Sequence, residues 1–208
     1  ILGITEAWNN VFILKEDKKV YKLGDSYDKL QEVDGGSNIV KIGAEYALDK
    51  DNNILKIKCN ADDTYSYEKC NYVIEGKIEK IDTIDYNYKT CPFILYETGK
   101  AIVMTENNKY ETLSNNAIDI VTNIEGAFVL EYNNVIYYRY STGTISTTNI
   151  SCITNKEEIP IKINNQGTIL TNKGNCYDIN IIEDDPVILE YKEEPTSTNI
   201  RKIGYYIL

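Results

Sequence analysis

The side chains able to do chemistry in this chain form an uneven set: 18 tyrosines, five cysteines, 32 carboxylates and no histidine in 208 residues. Without an imidazole to take a proton near neutral pH, Ser-His-Asp and Cys-His activation of a nucleophile are excluded. The cysteines are Cys59, Cys70, Cys91, Cys152 and Cys176, and no two form a C-x-x-C pair. A zinc site would have to be gathered from scattered thiolates and carboxylates, so no metal is expected. Glycine-rich dinucleotide and phosphate-loop motifs are absent, and no cofactor is expected. The many carboxylates leave a paired-acid hydrolase as the one catalytic class open to this composition. No pair stands out, and the expectation is a protein without catalytic residues.

Asp49-x-Asp51-x-Asn53 has the spacing of the first ligands of a calcium loop. The pattern then fails, because Ile54 stands where the loop needs glycine and Asn60 where it needs glutamate. A plain turn is the expected role. Tyrosine is the informative side chain, since it covers large area at low entropic cost and keeps a polar tip, which suits interfaces. The candidate binding residues are Tyr65, Tyr67, Tyr86, Tyr88, Tyr138 and Tyr140. The first four are expected in connectors, where a rigid scaffold commonly carries recognition. The segment Asp62–Tyr72, bounded by Cys59 and Cys70, reads as a protruding loop that a Cys59–Cys70 bridge would staple.

Net charge is −10, which repels phosphate backbones and anionic bilayers. Neither nucleic acid nor membrane insertion is expected, and no apolar run approaches the roughly 18 residues a spanning helix needs. The odd number of cysteines favours reduced thiols and, weakly, a cytoplasmic setting. A surface or secreted location stays open, because the chain begins at Ile1 and reads as a fragment from which a targeting segment is missing.

One pattern returns along the chain: a short apolar strand, a polar turn, and a second apolar strand. It occurs at Phe12–Leu14 and Val20–Leu23, at Tyr46–Leu48 and Ile54–Ile57, at Phe93–Leu95 and Ala101–Met104, and at Phe128–Leu130 and Val135–Tyr138. A fifth copy runs from Ile159–Ile163 to Thr168–Leu170, and a degenerate sixth from Val187–Leu189 to Gly204–Ile207. Asn52-Asn53, Thr98-Gly99, Asn133-Asn134 and Gln166-Gly167 tolerate the positive φ of tight hairpins, so each unit is antiparallel. Alternating strands precede the hairpins near residues 39, 78, 118 and 150, at intervals of 39, 40 and 32 residues. An isolated hairpin is unstable in water, and units at this period cover one another in repeat architectures. The fold class expected is all-β: one domain over 1–208, a small β-propeller of five or six short blades, with a β-sandwich or barrel as the alternative.

Ile39-Val40-Lys41-Ile42-Gly43, Tyr46-Ala47-Leu48 and Asp51-Asn52-Asn53-Ile54-Leu55 follow the strand and turn order of one known repeat. They resemble the regulator-of-chromosome-condensation (RCC1-like) type of propeller repeat. The Trp expected before the loop glycine is Leu23 here, and the middle-strand His is missing throughout. The resemblance implies the propeller architecture, and not the nucleotide-exchange activity of some family members. The repeats here are shorter than that family's and read as three strands with a variable fourth in the connector. The function expected is a non-catalytic protein-interaction module, which would suit a subunit of a larger assembly. A glycan-binding, adhesin-like surface domain is the alternative.

Overall fold

A computed structural model of the chain describes residues 1–8, 10–23, 29–86, 89–105, 109–123, 126–141, 144–151, 158–182, 188–191, 195–198 and 200, without the side chains of 139–141, 144–151 and 188–191. Regular structure in the described residues is all strand. The first sheet holds β1 (Gly3–Ala7), β2 (Asn10–Leu14), β3 (Val20–Leu23) and β4 (Leu30–Glu32); the second holds β5 (Ile39–Ile42), β6 (Tyr46–Asp49), β7 (Ile54–Cys59) and β8 (Tyr65–Lys69). The third is β9 (Ile78–Tyr86), β10 (Lys89–Tyr96), β11 (Ala101–Met104) and β12 (Tyr110–Ser114). The fourth is β13 (Ala117–Thr122), β14 (Gly126–Glu131), β15 (Asn134–Ser141) and β16 (Thr144–Ser151). The fifth is β17 (Pro160–Ile163), β18 (Thr168–Thr171), β19 (Cys176–Ile182) and β20 (Ile188–Tyr191). Every sheet runs up and down in chain order, so each strand pairs with its neighbours in sequence.

The first four expected hairpins are the middle pairs of their sheets: β2–β3, β6–β7, β10–β11 and β14–β15. Each sheet has four strands, the fourth lying in the connector where the sequence reading places it. Two expectations need correction. The strand expected to lead a unit at 149–153 belongs through Ser151 to β16, the last strand of the fourth sheet, paired along β15 from Asn134↔Ser151 to Ser141↔Thr144. The fifth apolar pair is β17–β18, the opening of its sheet, and the strand taken to begin a sixth hairpin is β20, which closes the fifth. Any two consecutive strands of an up-and-down sheet look like a hairpin, so the pattern specifies antiparallel pairing without its phase. Residues 201–207 of the expected sixth copy lie outside the described residues.

One turn recurs. At 15–19, 49–53, 60–64, 164–168 and 171–175 the first N–H donates to the fifth carbonyl and the fourth N–H to the first carbonyl, with N···O distances of 2.8–3.1 Å. The fourth residue has positive φ each time: Lys18 at 63°, Asn52 at 64°, Asp63 at 60°, Gly167 at 83° and Gly174 at 79°. This is a type I turn closed by a left-handed residue. Asp49 Oδ1 accepts from the N–H groups of Asp51 (2.9 Å) and Asn53 (2.8 Å), and Oδ2 accepts from Asn53 Nδ2 (2.8 Å). The acidic spacing there builds the turn. Among the described residues no group of three or more acids and cysteines is placed to hold a metal.

The chain divides into two compact units, one of 1–83, 92–97 and 104–111, the other of 84–91, 98–103 and 112–208. In the first unit Ala7, Phe12, Leu14, Val20, Val33, Ile39, Ala47, Ile57 and Tyr67 form one apolar cluster joining the first two sheets. Phe12 and Leu14 alternate with half-buried Val11 and Ile13, the period-two pattern of a strand with one inward face. Asp34 N–H donates to Tyr65 O at 3.0 Å and Tyr67 N–H to Asp34 O at 2.8 Å, tying the residues after β4 to β8. In the second unit Val121, Phe128, Leu130, Val135, Tyr137, Ile163, Ile169, Tyr177 and Ile179 form the corresponding cluster. Buried Asp119 joins its two sheets, accepting from Ile120 N–H at 2.9 Å and Ile163 N–H at 3.0 Å.

Candidate functional site

Of the six tyrosines expected to bind, Tyr65 has an aromatic partner at the surface. The structure corrects the connector placement of Tyr65 and Tyr67: both lie in β8, because Asp62–Thr64 is the turn of the β7–β8 hairpin and not a protruding loop. Strand alternation sends Tyr67 inward, where it is buried in the core cluster. Its hydroxyl has no hydrogen-bond partner, and burial pushes its ionisation well above the usual tyrosine range. Tyr138 is also buried, and its hydroxyl donates to Leu113 O at 2.7 Å. Tyr86, half-buried, ends β9 rather than lying in a connector. Tyr88 lies outside the described residues, as does the side chain of Tyr140. Cys59 and Cys70 are free thiols, so the staple that their spacing allowed is not formed.

Around Tyr65 the first two sheets assemble a platform that the tyrosine pattern alone did not show. Trp8, the single tryptophan, directly follows β1 and stacks on Tyr65, with ring centroids 6.2 Å apart and planes 24° apart. Buried Phe12 meets the Tyr65 ring edge-on at 5.5 Å and 73°, fixing it from below. The Lys22 ammonium lies 4.9 Å from the centre of the same ring, a cation–π contact. Asn10 Nδ2 donates to Tyr65 Oη at 3.1 Å and to Trp8 O at 2.8 Å, holding both aromatics with one amide. Trp8 remains 45% exposed, and its φ of 49° is left-handed. A bulky residue seldom adopts that conformation, which costs on the order of 1–3 kcal/mol and concentrates at functional sites. The sequence signal was a lone Trp after the first strand. Its pairing with Tyr65, some sixty positions away, needed the fold.

The platform offers a flat apolar face and the Lys22 ammonium, while the Asn10 amide protons are spent within it. It can hold a ligand by stacking and hydrogen bonding.

By sequence the chain matches no family model and no curated protein. By structure its fold is similar to that of YCF48 from Cyanidioschyzon merolae, which superposes with a TM-score of 0.50 at 11% identity, over 90% of this chain and 70% of that one. At that identity the likeness speaks for the fold alone. The structure of YCF48 bound to D1 peptide aligns at 0.47 and 10% identity, over 81% of this chain and 60% of that one. PorZ, described as an essential bacterial surface component of the type-IX secretion system of Porphyromonas gingivalis, aligns at 0.41 and 11%, over 92% of this chain and 32% of that one. The chain thus spans three fifths of the peptide-bound YCF48 structure and a third of PorZ.

Proposed function

We propose that this chain is a non-catalytic binding module built on propeller-type blades, and that the Trp8–Tyr65 platform receives a protein partner. Four-stranded up-and-down sheets repeated in chain order are the pattern of propeller blades, which supports the scaffold. The observation that carries the binding site is an exposed tryptophan held in a strained backbone conformation by the amide and ring that flank it. Trp and Tyr dominate the energetics of protein interfaces, and strain kept at the surface fits recognition better than stability. The absence of a catalytic role is part of the same proposal. Buried Asp82, Asp119 and Glu158 are engaged: Asp82 by the Thr83 N–H, Asp119 as described, and Glu158 by Thr171 Oγ1, Asn175 Nδ2 and Tyr177 Oη. The RCC1-like resemblance of the second sheet supports the architecture and nothing more specific.

A carbohydrate ligand is the second reading, favoured by one feature: an exposed flat aromatic face also suits a sugar ring. Immobilised wild-type protein and the variants Trp8→Ala, Tyr65→Ala and Tyr132→Ala, each checked for an unchanged fold by circular dichroism, separate these readings. Tyr132 is exposed on the β14–β15 turn and serves as the control. Proteins captured from the native source by wild type and Tyr132→Ala, but lost with both platform variants, support the protein-binding reading. Capture that ignores Trp8 and Tyr65 overturns it, and selective glycan-array signal lost with Trp8→Ala replaces it with the carbohydrate reading.

A further inference from the structure

The first sheet is apolar on both faces. Phe12, Leu14 and Val20 define the inner face, in the cluster shared with the second sheet, and a Cβ on Gly3 would stand 3.2 Å from Ile42 on the same side. Strand alternation turns Ile4, Val11, Ile13, Tyr21, Leu23 and Leu30 the other way. Register sets these residues in rows. Ile4 faces Ile13, Ile13 faces Tyr21, and Tyr21 faces Glu32; in the next row Glu6 faces Val11 and Leu23 faces Leu30. The Lys15 ammonium lies 4.5 Å from the centre of the Tyr21 ring, which places it on this outer side as well.

An antiparallel strand covered on one face alternates apolar and polar residues. The strand β2 does not. Its Val11-Phe12-Ile13-Leu14 has the pattern of Pro92-Phe93-Ile94-Leu95 in β10 and Ala127-Phe128-Val129-Leu130 in β14. All four residues are buried in β10 and in β14, whereas Val11 and Ile13 are only half-buried. Near them Ile4 is 47% exposed and Leu30 45%. The first sheet therefore has the composition of one covered on both sides, and an exposed apolar patch of this kind marks an interface.

Charge indicates what covers it. Glu6 stands beside Val11 at one end of the face, and Lys15 continues β2 at the other. A surface with opposite charges at its two ends is complementary to itself when turned end over end, as a two-fold contact requires. Such a stack lays β1 on β1 and β2 on β2 in opposite directions, close to the aligned packing of β-sandwiches. Ile4 and Ile13 then meet their own counterparts at the centre, and Lys15 of each copy comes beside Glu6 of the other. We propose that the outer face of the first sheet is the contact between two copies of this chain, sealed by Ile4 and Ile13 and oriented by the Lys15–Glu6 pairs. The Tyr65 ring packs on inward-facing Phe12, so the Trp8–Tyr65 platform is a separate site.

Sedimentation velocity of the 208-residue chain over about 5 to 500 µM reads the contact, since association follows mass action. The variants are Ile4→Lys, Glu6→Lys, Lys15→Glu and the last two combined, each with an unchanged circular dichroism spectrum. Wild type is expected to pass from monomer to dimer across the range, and Ile4→Lys to stay monomeric. Each single charge reversal is expected to raise the dissociation constant at least about tenfold. The double reversal is expected to return it to within about threefold of wild type, because the pairs re-form with their signs exchanged. A wild type that is monomeric throughout, a dimer that tolerates Ile4→Lys, or a double variant no better than the singles overturns the proposal.

Discussion

At the scale of single residues, burial decides what a tyrosine or a cysteine does here. The Tyr67 hydroxyl is enclosed without a partner, so Tyr67→Phe is expected to hold or raise stability, by up to about 1 kcal/mol in urea unfolding. The same burial sets a pH dependence. The folded-state ionisation of Tyr67 is raised, so the unfolded chain loses the proton first and stability declines as pH rises through about 10. In Tyr67→Phe that alkaline decline should be shallower, and an unchanged profile would argue against the burial of this ring. Thiol chemistry follows the same rule. Cys59 is exposed, Cys70 is half-buried with its ionisation pushed up by desolvation, and Cys91 and Cys176 are buried. Alkylation at pH 8 should therefore modify Cys59 first, Cys70 more slowly, and Cys91 and Cys176 only on unfolding, as peptide mapping would report.

Among elements, the recurrent turn carries the next expectation. Lys18, Asn52 and Asp63 hold left-handed conformations that glycine adopts without a Cβ clash. Lys18→Gly and Asp63→Gly should stabilise the protein by roughly 0.5–1 kcal/mol, whereas Gly174→Ala should destabilise it by about as much or more, measured by thermal unfolding. The legibility of the turns was uneven. Asn52-Asn53 and Gln166-Gly167 announced themselves through residues that tolerate positive φ. The turn at Lys15–Lys19 carries a lysine at the left-handed position, where backbone hydrogen bonds override the local preference. The first strands hide another device. Ile39 and Lys41 face Asp49 and Leu48, so Val40 bulges out, and the same skip occurs between Ala117 and Asp119 and between Pro160 and Lys162. A bulge adds one unpaired residue and interrupts the period-two alternation there, which is why the repeat looks less regular in sequence than it is.

Over the described residues, burial is deepest in middle strands of the third and fourth sheets and least in the fourth strands of the first and third. All of Phe93–Tyr96, Ala101–Met104 and Gly126–Leu130 is buried, whereas β4 is exposed throughout and β12 is exposed over its first three residues. Middle strands covered on both faces open last and fourth strands open first. Amide exchange should therefore be slowest in β10, β11 and β14 and fastest in β4 and β12, and a uniform profile would contradict the layering.

What the amino-acid order determined by itself was local: strands from alternation, antiparallel pairing from short turns, a repeat from its returning hairpins, and the absence of histidine chemistry. Those features depend on residues a few positions apart, so their signal survives in one dimension. Which hairpin sits at the middle of each sheet, which face of β8 turns inward, and which ring meets the lone tryptophan depend on contacts between distant strands. Tyr65 and Tyr67 lie on the same face of β8 and pack against the same core cluster, yet Tyr67 is sealed in it while Tyr65, next to the β7–β8 turn, is only half-buried and stacks on Trp8. Only the packing of one sheet on the next could make that choice.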